Sequence, residues 1–109
     1  MSLQGYPSFS NASVSDTVVQ VSGSPIIVMG GFVRNTTAAN AWIQMFNAQS
    51  ANVALGTTTP TIAIVIFANA ALGLSDLPGM VFDVALSIAG TTTRTGNTAA
   101  ILEVDLITA

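Results

Sequence analysis

Residues able to do chemistry are few in this chain. Of its 109 residues, seven carry a charge: Asp16, Arg34, Asp76, Asp83, Arg94, Glu103 and Asp105. Histidine, cysteine and lysine are all absent. Those three side chains supply most general bases, nucleophiles and soft-metal ligands. What remains is the chemistry of carboxylates, hydroxyls and amides. Asp76 and Asp83 flank the Pro78-Gly79 turn, and a hard cation such as calcium takes oxygens of that kind. No Asp-x-Asp-x-Asp loop accompanies them, and a solvated or turn-capping Asp76 accounts for the pattern better. Glu103 and Asp105 share one strand face at the spacing of a carboxylate pair. Paired acids hydrolyse glycosides only across a cleft of fixed width, so surface charge is the simpler reading. Arg34 and Arg94 each carry the planar fork that holds an acidic group on a partner. A local salt bridge to an aspartate is the competing role. Trp42 could stack on a sugar, but inside an apolar strand it reads as core. Gly30-Gly31 lacks the helix and lysine of a phosphate loop. The expectation is a chain with no catalytic residue, no metal site and no cofactor.

Composition points the same way. Half of the residues are apolar and 6% are charged, against about 25% charged in ordinary soluble domains. A monomer exposed on all sides normally carries more charge than this. The polar remainder is Thr, Ser, Asn and Gln, which lose little when a partner covers them. A subunit with much of its surface covered fits this balance better than a free monomer. Net charge is −3 with two arginines, which argues against nucleic acid, whose binding needs clustered Lys and Arg. No apolar run approaches the ~20 residues needed to span a bilayer. The opening MSLQGYPSFSNAS lacks the basic region and apolar run of a signal peptide. Synthesis in a cytoplasm is expected, which leaves the sequons at Asn11 and Asn35 unused.

The elements that must position these residues read as β. VSDTVVQV (Val14–Val21) is one strand, ended by Ser22-Gly23-Ser24, and PIIVMGGFVRN is the next, with Gly30-Gly31 as a bulge or kink. TTAAN reads as a turn and Ala41–Asn47 as the return strand of a hairpin. Its two faces, Trp42, Gln44, Phe46 and Ala41, Ile43, Met45, are both mostly apolar. AQSANVALGTTTP is a loop with room for one short strand at Val53–Leu55. Thr61–Ala68 is the most apolar stretch, β-branched and preceded by Thr59-Pro60, and is expected as a central strand covered on both faces. NAALGLSDLPG reads as a connection, Met80–Gly90 as a strand and TTTRTGNT as a loop. In Ala99–Thr108, Leu102, Val104 and Leu106 alternate with Glu103 and Asp105, the mark of a half-solvated sheet. Six to eight short strands at regular spacing predict an all-β protein, an antiparallel β-sandwich of jelly-roll-like form. Residues 13–109 form that domain. Residues 1–12 read as an extended N-terminal arm, whose Tyr6, Pro7 and Phe9 fit no strand alternation and so are expected to dock on a partner.

Three stretches in order, GFVRNTTAANAWIQMFN, LGTTTPTIAIVIFAN and LSIAGTTTRTGNTAA, resemble small β-sandwich structural proteins of tailed bacteriophages. The resemblance covers roughly Gly31 to Ala100. It implies a virion component, most simply a capsid decoration or cement protein. Such a protein binds and stabilises the major capsid protein lattice as a homo-oligomer, by expectation a trimer. Tyr6, Pro7, Phe9, Arg34 and Arg94 are then the expected partner-binding residues. Two other classes remain open. One is a tail-fibre, baseplate or adhesin module that meets host glycans. The other, weaker because the Thr triplets lie beside Pro and Gly, is an ice-binding threonine array.

Overall fold

The computed structural model describes residues 8–74 and 79–109. Among these residues nine strands form two antiparallel sheets: β1 (Ser8–Val14), β2 (Val19–Ser22), β3 (Ile26–Asn35), β4 (Ala41–Phe46), β5 (Ile62–Ile66), β6 (Ala70–Gly73), β7 (Met80–Phe82), β8 (Leu86–Thr91) and β9 (Leu102–Thr108). One sheet runs β1-β9-β3-β6, with β7 also paired to β3, and the other runs β2-β8-β4-β5. The chain changes sheet at nearly every connection, while β4 and β5 are consecutive strands paired within one sheet. Setting β7 aside, this order is that of a jelly roll, two four-stranded sheets wound from paired ribbons. The expected all-β sandwich is therefore the architecture, with nine strands in place of six to eight. Among the described residues no helix is long and apolar enough to cross a membrane.

Alternation builds the core. Leu102, Val104 and Leu106 of β9 are each at most 1% exposed, and they face Ile43, Met45 and Ile88 of the opposite sheet within one buried cluster. Glu103 and Asp105 stay on the outside, as the pattern predicts. Burying each large aliphatic or aromatic chain contributes about 1.5–3 kcal/mol. Two glycines let backbones approach one another. Gly31 has φ +114° and a Cβ there would run into Asp105 O, while a Cβ on Gly90 would run into Ala100 O and lie 2.8 Å from Val14 O. At Gly90 the amide donates to Ser15 O (2.9 Å) and the carbonyl accepts from Ala100 N (3.1 Å), which closes one end of the sandwich.

Several expected boundaries are corrected. The strand expected over Val14–Val21 is two elements, because Ser15–Val18 carry the chain from one sheet to the other. The expected hairpin of Gly31–Asn47 is a crossover: β3 and β4 lie in different sheets. Met80–Gly90 breaks at Asp83–Ala85, where Asn47 Oδ1 accepts from Val84 N (2.9 Å) and Ala85 N (3.3 Å). Ala70–Gly73, read as connection, pairs with Arg34, Val33, Asn35 and Phe32 of β3. Val53–Leu55 is no strand, and a 3-10 turn occupies Ser50–Asn52. The apolar stretch Thr61–Ala68 supplies β5, an edge strand and not a central one. It is five residues long, and a short edge limits pairing with copies.

Candidate functional site

The two outer faces of the sandwich differ. On the four-stranded sheet, cross-strand pairing sets Trp42 beside Val65 and Thr91, Gln44 beside Ala63 and Ala89, and Phe46 beside Ser87. This face is closed by the protein's own loops. Ser87 Oγ donates to Ala48 O (2.8 Å), and Gln44 Nε2 donates to Thr91 Oγ1 (2.7 Å) and Gly96 O (3.1 Å). Gln44 and Phe46 are buried and Trp42 is half-buried. Gln44 Oε1 is buried with no hydrogen-bond partner among the described residues. The second apolar face of β4, read from sequence as a surface needing a partner, is thus covered within the monomer.

The five-stranded sheet leaves its outer face open. Register places Ile27 opposite Val81, Phe32 opposite Asp105 and Gly73, and Arg34 opposite Glu103 and Ala71. Alternation sets Met29 on the same face as Ile27, and the β-bulge between Val28 and Gly30 brings Phe32 and Arg34 onto that face as well. Ile27, Met29, Phe32 and Val81 are 38, 46, 57 and 65% exposed. They form an apolar strip about 15 Å long along β3. Arg34, Glu103, Asp105, Ser8 and Ser10 border it, and Ser10 Oγ donates to Asp105 Oδ1. No sequence signal separated Phe32 and Met29 from core residues, because the bulge between Val28 and Gly30 resets the alternation within the strand.

The residues expected to bind a partner do not converge on one place. Tyr6 and Pro7 lie outside the described residues. Phe9 is half-buried in β1, opposite Leu106, and packs against the core from its own sheet. The expectation that Phe9 belongs to no strand is corrected, since residues 8–12 of the supposed arm are part of β1. Arg34 is exposed on the five-stranded sheet and lines an open cleft of about 300 Å³ with Asn35, Thr36 and Asn69–Ala71. Arg94 is exposed in the loop after β8 that folds over the other sheet. The two arginines therefore sit on opposite faces.

Carboxylates show no constellation either. Asp83 accepts from Asn47 Nδ2 (2.6 Å), a loop-bracing bond. Asp76 lies outside the described residues. Among the described residues no group of three or more His, Cys, Asp or Glu is placed to hold a metal ion. Asn35, the second sequon residue, is fully buried, and its amide bonds Ala39 O, Ile66 O and Thr37, leaving no room for a glycan. No protein-family model matches the chain, and no curated protein or solved structure does so either.

Proposed function

We propose that this protein is a non-enzymatic virion structural subunit, a capsid decoration or cement protein that binds the assembled major capsid protein lattice as a homo-oligomer. The observation that carries this reading is the open apolar face of the five-stranded sheet on a chain with 6% charged residues. Such a surface is stable in solution when another protein covers it. The jelly roll is used in shell proteins and in lectins alike, so the fold supports the reading without deciding it. Neither nucleic acid nor a membrane is the partner, and the protein is made in the host cytoplasm. A ligand that binds only the assembled lattice stabilises it by mass action. The test is to add purified protein to capsids lacking it and image the particles. Ordered density at lattice positions and a raised capsid melting temperature are expected, and bare capsids at saturating protein reject the reading. A glycan-binding tail or adhesin module is the second reading, favoured by half-buried Trp42 beside Thr91. Glycan-array binding abolished by Trp42→Ala would establish it instead.

A further inference from the structure

We infer that the outer face of the five-stranded sheet is the surface through which two copies of this chain pair, face to face. The inference rests on the homo-oligomeric part of the reading above and assigns its location. Sequence alone pointed to the second faces of Ala41–Asn47 and Thr61–Ala68. Those of β4 are closed by intramolecular loops, and just beyond β5 the exposed large apolar side chain is Phe67, whereas the strip of Ile27, Met29, Phe32 and Val81 gathers four such side chains on one sheet face.

Three features fit a second copy as the occupant. The first is area. The molecule measures 35 × 30 × 21 Å. A broad face of 35 × 30 Å accommodates the ~800 Å² per partner that a specific interface buries. The second is anatomy, an apolar centre with a polar border, which is what sheet-on-sheet packing uses within domains. The third is charge. The face carries both signs, Arg34 against Glu103 and Asp105, so a two-fold image can set the arginine of one copy by an acid of the other. Contact of a patch with itself is isologous and closes at two copies. The location therefore implies a dimer, in place of the trimer that the phage resemblance implies.

Sedimentation velocity on the full chain at micromolar concentration tests this. The wild type is expected as a dimer. Phe32→Glu and, independently, Met29→Glu are expected to weaken it by at least about 100-fold, since a charge at the centre of such a patch is left desolvated and unpaired. Both side chains are exposed in the monomer, so both variants should keep the wild-type melting profile. Val84→Glu, exposed on the β7–β8 connection, should dimerise normally. A wild-type monomer or trimer overturns the inference, as does a Phe32→Glu dimer or equal loss in Val84→Glu. Capsid binding by a wild-type trimer, or alongside a Phe32→Glu dimer or an equal loss in Val84→Glu, would leave the proposed function standing and remove only this interface, whereas a wild-type monomer would remove the homo-oligomeric part of that function as well.

Discussion

Asn35 makes four hydrogen bonds that tie three parts of the fold together. It is fully buried, and its Nδ2 donates to Ala39 O (2.8 Å) and Ile66 O (3.0 Å) while Oδ1 accepts from Thr37 N (3.0 Å) and Thr37 Oγ1 (2.7 Å). One side chain thus fastens the end of β3, the crossover loop and the end of β5 in the opposite sheet. Asn35→Ala leaves buried backbone groups unpaired, each at a cost of about 1–3 kcal/mol, so a loss of roughly 2–4 kcal/mol is expected in chemical denaturation. Gln44 is the contrasting case: it is equally buried, but its Oε1 is unpartnered and its Thr91 contact is to a hydroxyl that already donates to Thr93 O. Gln44→Met removes an unsatisfied acceptor at similar volume, and its stability should stay within about 1 kcal/mol of wild type. Gly90→Ala forces a Cβ into the backbone of Ala100 and Val14; a loss of at least about 3 kcal/mol is expected. Sequence could not rank these residues. Asn35 and Asn40 both border the same polar loop, and only the crossover decides which one is buried.

At the scale of elements, the strands that alternate strictly were legible and the ones defined by their partners were not. Leu102, Val104 and Leu106 declared β9 because one of its faces meets water and the other the core. β6 was missed because Ala70–Gly73 has no such contrast, and its pairing to β3 is a long-range event. Thr61–Ala68 reads as central because apolarity does not report neighbours: β5 is an edge strand, half-buried from Ile62 to Val65, with Ile62 and Ile64 packed on the core and Ile66 fully buried. β1 shows the same limit with a larger consequence. Ser, Asn and Ala alternate weakly there, yet Phe9 packs on the core and the strand covers one side of β9 from Ser8 to Val14. An arm that served only partners could be removed without loss of fold. Deleting residues 1–12 takes away most of β1, exposes the edge of β9 and removes Phe9 from the core. A drop of several kcal/mol, or outright aggregation through the bare edge, is therefore expected. Phe9→Ala alone should lower stability by about 1–3 kcal/mol. A deletion variant that melts as the wild type does would show that β1 contributes only to assembly.

Taken whole, the fold joins its first and last described strands. β1 and β9 are neighbours, with Ser8 opposite Ile107 and Asn11 opposite Val104, and β9 also holds β3 on its other side. β9 is thus an interior strand of its sheet and contributes Leu102, Val104 and Leu106 to the core. The radius of gyration, 12.7 Å, is that of a fully closed domain of this length, about 13 Å, so a single chain completes the core. Closure of such long loops must precede most of the stabilising contacts, which makes folding slow for the chain's size, in the millisecond-to-second range typical of sandwiches. The same topology makes the core all-or-none. A chain lacking Leu102–Thr108 has no partner for the inner edge of either β1 or β3 and loses one wall of the buried cluster. Its remaining strands cannot form a smaller sandwich, since the other sheet's apolar face would lie open to water. Far-ultraviolet dichroism of that truncated chain should show a coil with no cooperative melt. A retained sheet spectrum with a sharp thermal transition would mean that the four-stranded sheet and its covering loops fold without β9.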